Sequence, residues 1–304
     1  MKVGICDPIA EEGVALLKER GFDVIDLSSI PKEELFKHVE DLDAIIVRSA
    51  TKVRKEIIDS AKNLKVIGRA GVGLDNIDVE YAKSKGIKVI NTPGATSISV
   101  AELTIGLILA VMRKIAFADR EMRKGVWPKK KSKGIEMYGK TMGIIGIGRI
   151  GREVAKRAKA FGMKVVYYDV YRPDESIEKE LGIEYRDLDS LLSEADVVSL
   201  HVPLTPDTKH LINRERIEKM KNGAILINAA RGGTVDEEAL YEALKSGKLY
   251  GAALDVYEHE PVKESPLFEL DNVVLTPHIG AQAKEGQIRA GVEVAERVAD
   301  ALLS

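Results

Sequence analysis

The sequence predicts an α/β protein with two domains, each built on a parallel sheet. Three features of its 304 residues lead to this expectation. Short runs rich in Val and Ile alternate with charged amphipathic stretches, which is typical of strands joined by helical crossovers. The runs are apolar at nearly every position, as expected of strands that are covered on both faces. The alternation occurs twice along the chain, so two sheets are expected.

The predicted elements follow this alternation in order. A first series of strands ends near Pro93, and one long helix then runs from Ser97 to Arg123. A basic loop, Trp127–Lys133, leads into a second series, and a helix over Lys284–Leu303 closes the chain. The predicted strands are Lys2–Cys6, Val24–Leu27, Ala44–Arg48, Lys65–Ile67 and Lys88–Asn91 in the first series, and Met142–Gly146, Lys164–Tyr168, Asp196–His201, Ala224–Ala229, Gly251–Val256 and Asn272–Thr276 in the second.

The composition excludes several classes of function. With a net charge of −2, the chain has no basic footprint for nucleic acid, and 45% hydrophobic with 31% charged residues is typical of a soluble globular protein. The most apolar stretch, Val100–Ala118, contains three charged residues, so no membrane association is expected. A single cysteine, Cys6, cannot form an internal disulfide, which favours a cytoplasmic location. No His or Cys cluster has metal-ligand spacing, so no metal is predicted.

A dinucleotide-binding turn is the strongest local signal. Gly146, Gly148 and Gly151 form a G-x-G-x-x-G pattern directly after a predicted strand and before a predicted helix. These glycines permit a tight turn, the approach of a pyrophosphate, and close helix–strand packing, respectively. Asp169 ends the next strand 18 residues after Gly151, where a carboxylate binds ribose hydroxyls and favours NAD over NADP. Arg172 follows closely and weakens this preference for NAD, because an arginine there can accommodate the 2′-phosphate of NADP. The second domain is therefore predicted to be a Rossmann domain that binds NAD.

Three polar residues at the ends of later strands form a candidate catalytic set. Arg231, Glu260 and His278 each follow an apolar run, and the carboxyl ends of parallel strands line a ligand crevice. A His can exchange a proton near neutral pH, a neighbouring carboxylate can orient it, and an Arg can hold a substrate carboxylate. Such a set suits hydride transfer between NAD and a 2-hydroxy acid. Taken singly, each residue is more commonly structural than catalytic.

Longer strings resemble the D-2-hydroxyacid dehydrogenase family over essentially the whole chain. The similarity is carried by NAARGGTVDEEAL (228–240), GAALDVYEHEP (251–261) and TPHIGAQ (276–282), and extended by GRAGVGLDNID (68–78), NTPGATSISVAELT (91–104) and GKTMGIIGIGRIGREVA (139–155). The resemblance is closest to the branch that oxidises D-3-phosphoglycerate. It implies that Arg231, Glu260 and His278 are the catalytic triad, and it adds further positions. Cofactor contacts are implied at Val72, Arg149, Ile150, Val202, Ala229, Ala230, Arg231, Asp255, His278, Gly280 and Ala281, and substrate contacts at Arg48, Arg69, Gly71, Gly73, Arg231 and His278.

The resemblance also implies two Rossmann-like domains, of which the first is discontinuous. The expected limits are 1–96 plus 282–304 for the substrate domain and 97–281 for the NAD-binding domain, with the active site in the cleft between them. A homodimer or homotetramer is expected. Because the chain stops at Ser304, regulation by serine through a C-terminal domain is not expected.

The substrate stays open between several possibilities. A small phosphorylated 2-hydroxy acid, D-3-phosphoglycerate, is expected first, and glyoxylate, hydroxypyruvate or another 2-keto acid is the alternative. Thr96 stands where many members of the D-3-phosphoglycerate branch have Asn. An NAD-sensing binding protein would share the fold but carry extra partner-binding segments. The Lys129–Lys131 run is expected to be a solvated loop, or else to reach a neighbouring subunit's active site.

Overall fold

The computed structural model describes residues 1–304, and the chain forms two compact units. Unit 1 comprises Met1–Ser99 and Ala281–Ser304, and unit 2 comprises Val100–Gly280. The predicted domain limits differ from these by three residues at the first junction and by one at the second. None of the helices is both long and apolar enough to span a bilayer.

Unit 1 is a five-stranded parallel sheet with the order β2-β1-β3-β4-β5. Successive residues of its central strands face two different cores. For example, Ile45 packs in one cluster and Ile46 in the other, where the last helix covers the sheet. The strands are β1 Lys2–Ile5, β2 Asp23–Asp26, β3 Ala44–Val47, β4 Val66–Arg69 and β5 Lys88–Asn91; the helices are α1 Glu11–Glu19, α2 Lys55–Ser60, α3 Val79–Ser84 and the final α11 Lys284–Leu303, with a 3₁₀ helix at Lys32–Lys37.

Unit 2 is a seven-stranded parallel sheet with the order β12-β11-β10-β9-β6-β7-β8. Counted from β6, this is the 3-2-1-4-5-6 order of a dinucleotide-binding fold with one strand added at the edge. Its strands are β6 Thr141–Ile145, β7 Lys164–Tyr168, β8 Glu184–Tyr185, β9 Val197–Leu200, β10 Ala224–Asn228, β11 Leu249–Leu254 and β12 Val273–Leu275; its helices are α4 Ser97–Met112 (which begins in unit 1), α5 Ile115–Arg123, α6 Arg149–Ala160, α7 Glu175–Leu181, α8 Leu188–Glu194, α9 Arg214–Lys219 and α10 Glu237–Ser246, with a 3₁₀ helix at Pro266–Glu269. The predicted fold class is confirmed.

The prediction of one helix from Ser97 to Arg123 is wrong, because the chain breaks between α4 and α5. Lys114 adopts a left-handed backbone with φ of 53°. The amide of Ile135 donates to the carbonyl of Met112 at 2.9 Å, and a Cβ on Gly134 would lie 2.4 Å from the same oxygen. A returning loop therefore takes the carbonyl that would have continued the helix. The two-residue strand β8 was also not predicted, since it is too short to give a hydrophobic pattern.

Candidate active site

The glycine turn after β6 has the geometry that a bound pyrophosphate requires. Gly146 has φ of +96°, and a Cβ there would lie 2.6 Å from the carbonyl oxygen of His201. A Cβ on Gly151 would lie 2.2 Å from the carbonyl oxygen of Gly146. Around Gly148, in contrast, a Cβ would meet nothing within 4 Å. The first and third glycines are thus required by packing, whereas the middle one borders open space.

Helix α6 begins at this open space. Gly148 is its N-cap and has no side chain to bond the first N–H groups, and Arg149 lies exposed in the first turn, followed by Ile150. Unbonded N–H groups and the positive end of a 12-residue helix attract phosphate.

Asp169 lies beside the turn, directly after β7. Its Oδ2 accepts a hydrogen bond from the amide of Ile147 at 2.8 Å, and its Oδ1 accepts one from the amide of Tyr171 at 3.0 Å. The carboxylate is therefore fixed next to the loop that would hold the pyrophosphate, where ribose hydroxyls are expected. The glycine turn, the helix N-terminus and this carboxylate together fit NAD.

All the predicted site residues of unit 2 lie at one edge of its sheet. They follow the carboxyl ends of six strands, at Gly146 after β6, Asp169 after β7, Val202 after β9, Ala229–Arg231 after β10, Asp255 after β11 and His278–Gly280 after β12. The sheet order places β6 next to β9, which is the switch point where doubly wound sheets bind ligands. At the end of β9, burial lowers the pKa of His201 to about 4, so this ring stays neutral at physiological pH.

The loop that carries Arg231 is held by a residue that the sequence analysis missed. Asn228 is buried at the end of β10, where its Oδ1 accepts from the amide of Ala230 at 3.1 Å. Its Nδ2 donates to the carbonyl of Arg231 at 3.0 Å. A polar residue that ends an apolar run, AILIN, is the signal that could have revealed it. Next to Arg231, a Cβ on Gly232 would lie 1.7 Å from the carbonyl oxygen of Tyr257, so this loop packs directly on the one that leads to Glu260.

Glu260 and His278 form a hydrogen-bonded pair. Oε2 of Glu260 lies 2.7 Å from Nδ1 of His278, while its Oε1 accepts from the amide of Tyr257 at 3.0 Å. The His278 side chain is 51% exposed, and its backbone is left-handed with φ of 53°. With Nδ1 bonded to the carboxylate, Nε2 is the ring atom left to exchange a proton with a ligand.

Asp255 holds the segment that carries His278. It is buried, and its two oxygens accept from the Thr276 hydroxyl at 2.6 Å and from the amides of Ile279 and Gly280 at 2.8 Å each. These bonds on both sides of His278 fix the left-handed turn. A position predicted to contact the cofactor therefore also organises the loop of His278.

A reciprocal clip holds the loop of Glu260 against α10. The amide of Glu258 donates to Oε1 of Glu237 at 2.7 Å, and the amide of Glu237 donates to Oε1 of Glu258 at 3.3 Å. Burial raises the pKa of Glu237. Neither glutamate ends a strand, so the sequence pattern gives no signal for either of them.

The predicted substrate residues of unit 1 lie at the carboxyl ends of neighbouring strands. Arg69 ends β4 and pairs in register with Val47, so Arg48 follows on the adjacent strand. Asp7, which is buried after β1, accepts from the amides of Arg48 at 2.7 Å and Thr51 at 3.0 Å and so fixes this loop. A Cβ on Gly71 would overlap the Arg69 guanidinium, so the side chain lies on this glycine.

The remaining predicted positions lie outside the helices and strands. Val72 is half-buried, and its carbonyl accepts from Asn91 at 2.6 Å, with Gly73 following; Ala281 opens the second segment of unit 1. Thr96 is buried. Lys129–Lys131 are exposed in a loop, and no group of three or more His, Cys, Asp or Glu side chains could hold a metal ion.

A parallel sheet with this strand order, a phosphate-binding turn and a histidine–carboxylate pair is the combination expected of a nicotinamide-dependent dehydrogenase. Residues 105–280 match the profile of the D-isomer specific 2-hydroxyacid dehydrogenase, NAD binding domain. The chain therefore belongs to the D-isomer specific 2-hydroxyacid dehydrogenase family. The predicted resemblance, enzyme class and cofactor, NAD, are confirmed.

Curated relatives carry two different names. D-3-phosphoglycerate dehydrogenase of Methanocaldococcus jannaschii is 53% identical over 98% of this chain, and this chain spans 57% of that protein. Hydroxypyruvate reductase of Thermotoga maritima is 54% identical over 98% of this chain and is covered over 97% of its length. Among solved structures, a protein of Thermus thermophilus matches with a TM-score of 0.91 at 42% identity, covering all of this chain and 97% of that one. The chain thus spans little more than half of the first relative but nearly all of the second.

Proposed function

We propose that the protein oxidises D-3-phosphoglycerate to 3-phosphohydroxypyruvate, the first reaction of serine biosynthesis, with NAD as hydride acceptor. The observation that carries the dehydrogenase activity is the pair formed by His278 Nδ1 and Glu260 Oε2 at 2.7 Å, in the same unit as the NAD site. A relative named D-3-phosphoglycerate dehydrogenase supports the substrate.

The proposed residues divide the reaction between them. Bound NAD supplies C4 of the nicotinamide, which accepts the hydride from C2 of the substrate. His278 takes the proton of the 2-hydroxyl on Nε2, and the Glu260 carboxylate stabilises the imidazolium that results. Arg231 holds the substrate carboxylate through a bidentate ion pair. The products are the 2-keto acid, NADH and a proton on His278, which leaves to solvent before the next turnover.

The pair gives a prediction about pH. In Glu260→Gln, the carboxylate that stabilises the protonated ring during the reaction is lost. Oxidation of the hydroxy acid needs the neutral ring, and its rate rises with pH; reduction of the keto acid needs the protonated ring, and its rate falls with pH. Both profiles of kcat/KM against pH should therefore move to lower pH. The exposed Glu264→Gln, with the same change of charge, serves as the control, and unmoved profiles in Glu260→Gln would contradict the pairing.

The phosphate of the substrate is assigned to Arg48 and Arg69. Hydride transfer needs only the carboxylate, the C2 oxygen and the C2 hydrogen, and Arg231 and His278 can serve those groups. Two further arginines at the carboxyl ends of neighbouring strands are surplus for an unphosphorylated substrate. A charge-assisted hydrogen bond contributes about 1.5–3 kcal/mol, or roughly ten- to a hundredfold in binding.

The experiment compares 3-phosphohydroxypyruvate with hydroxypyruvate by the absorbance of NADH. We expect a higher kcat/KM for the phosphorylated keto acid, and a larger loss for it than for hydroxypyruvate in Arg48→Ala and Arg69→Ala. Arg20→Ala is the control. Arg20 pairs with Asp300 and precedes the first residue of β2, so it lies at the amino ends of the strands, away from Arg48 and Arg69. Equal losses for both substrates would remove the phosphate assignment.

The second candidate function is the reduction of hydroxypyruvate or glyoxylate. It is favoured by the Thermotoga maritima relative, which is named hydroxypyruvate reductase and is covered over nearly its full length. The same assay separates the two functions. An NAD-sensing binding protein would give no turnover with any 2-keto acid. A cytoplasmic homodimer or homotetramer stays a prediction, and exposed apolar side chains on α5 and the following loop, Ile115, Met122 and Trp127, support self-association.

A further inference from the structure

The cation nearest in sequence to the ribose-facing carboxylate is Arg172, three residues after Asp169. In dinucleotide-binding folds, an arginine in this region can accommodate the 2′-phosphate of NADP. Its presence beside Asp169 would therefore oppose the selection of NAD. Whether the Arg172 side chain can reach a 2′-phosphate depends on the contacts that it already makes.

Arg172 packs against a cluster formed by Glu178, Tyr185 and Tyr167. Its Nη2 lies 3.0 Å from Oε1 of Glu178 on α7, and its guanidinium stacks over the ring of Tyr185 with 4.6 Å to the centroid. Glu178 also accepts a hydrogen bond from the hydroxyl of Tyr167. Tyr167 in turn packs edge-to-face on Tyr185 with 5.7 Å between the ring centroids.

The charges in this cluster are stable near neutral pH. The Tyr167 hydroxyl and the Arg172 guanidinium lower the pKa of Glu178, which therefore remains a carboxylate. Burial raises the pKa of Tyr167 to about 12, so the phenol remains a donor. The Glu178 side chain is 17% exposed and the Arg172 side chain 58%. Because the arginine is this exposed, the ion pair holds it only weakly, and loss of the carboxylate leaves the stacking on Tyr185 as the remaining contact described above.

We propose that Glu178 is a specificity-determining residue, which excludes the 2′-phosphate of NADP by holding Arg172 against Tyr185. Asp169 repels a 2′-phosphate directly, and Glu178 withdraws a cation that would attract it. The two acids act on the same group by different routes. This inference rests on the NAD site and is independent of which 2-hydroxy acid is the substrate.

The test measures binding without turnover. Dissociation constants for adenosine 2′,5′-bisphosphate and 5′-AMP are determined by calorimetry, and those for NADPH and NADH by nicotinamide fluorescence. The background is Asp169→Asn, which removes the charge but keeps a side-chain oxygen for the amide of Ile147 or Tyr171. In this background, we expect Glu178→Gln to tighten the binding of the 2′-phosphorylated ligands about two- to fivefold, which is the most that release from an exposed ion pair can contribute. Binding of 5′-AMP and NADH should change little.

Two further variants identify the cause. Adding Arg172→Leu should abolish the gain, and Glu180→Gln, an exposed position on the same helix with the same change of charge, should not produce it. Tyr185→Leu gives a second way to release Arg172 if Glu178→Gln is poorly folded. A gain that persists without Arg172, or equal effects of Glu178→Gln and Glu180→Gln, would overturn the proposal. Retained NADH affinity shows that the site itself is intact, so failure of this inference is distinct from failure of the NAD site or of the proposed substrate.

Discussion

The variant His278→Ala is expected to lower kcat by about 10²–10⁴-fold while NADH still binds. The reason is that His278 is the one ring whose Nδ1 is bonded to a carboxylate at a strand end of the NAD-binding unit, with Nε2 left for the substrate. The side chain is half-exposed and fills no core, so its removal should leave the melting temperature nearly unchanged. Steady-state rates and NADH fluorescence titration measure the two effects separately.

The control is His259→Ala, which removes an exposed histidine from the loop of Glu260. It should retain near-normal kcat. General acid–base catalysis contributes about 10²–10⁴-fold to the rate. A His278→Ala enzyme that keeps more than about a tenth of the normal rate would therefore show that another group exchanges the proton.

The second large effect is expected at the glycine turn, where two alanine substitutions should behave differently. At Gly148 a Cβ meets open space and φ is −68°, so Gly148→Ala should fold with a loss of about 1 kcal/mol or less. The added methyl group occupies the approach of the pyrophosphate, and the affinity for NADH should fall at least about tenfold, as expected when a charge-assisted hydrogen bond is lost.

At Gly151 a Cβ would lie 2.2 Å from the carbonyl oxygen of Gly146, and backbone must move to accept it. Gly151→Ala should therefore lower the melting temperature as well as the affinity, with a cost of about 1–3 kcal/mol. Thermal unfolding and calorimetric titration with NADH compare the two variants. If Gly148→Ala binds NADH normally, the pyrophosphate does not lie at this turn.

The sequence could predict the elements whose pattern repeats over several residues. The predicted strands lie within about two residues of the observed ones, because most of them are continuous apolar runs in a sheet that is covered on both faces. The glycine turn was also predictable, since the spacing of Gly146, Gly148 and Gly151 is set by local geometry. Structure then showed which of these glycines meet backbone and which borders open space.

Features that depend on one contact between distant segments could not be predicted from the sequence. Helix α4 ends where the Ile135 amide, 23 residues after Met112, bonds the Met112 carbonyl. The hydrophobic pattern of the helix gives no sign of this contact. Asp255 fixes the loop of His278 from 23 residues away, and Gly232 is required by the approach of the Tyr257 carbonyl. The interpretation of Arg172 likewise needed Glu178 and Tyr185, which are placed beside it by α7 and the short edge strand β8.

Hydride should pass directly between nicotinamide C4 and C2 of a 2-hydroxy acid. This transfer is tested by incubating the protein with 3-phosphohydroxypyruvate or hydroxypyruvate and NADH that carries deuterium at both C4 positions, followed by mass spectrometry and chiral analysis of the product. The expected product is a D-2-hydroxy acid with one deuterium at C2, formed at least about a hundredfold more slowly by His278→Ala. A product without deuterium at C2, an L-isomer, or no turnover of either keto acid would contradict it.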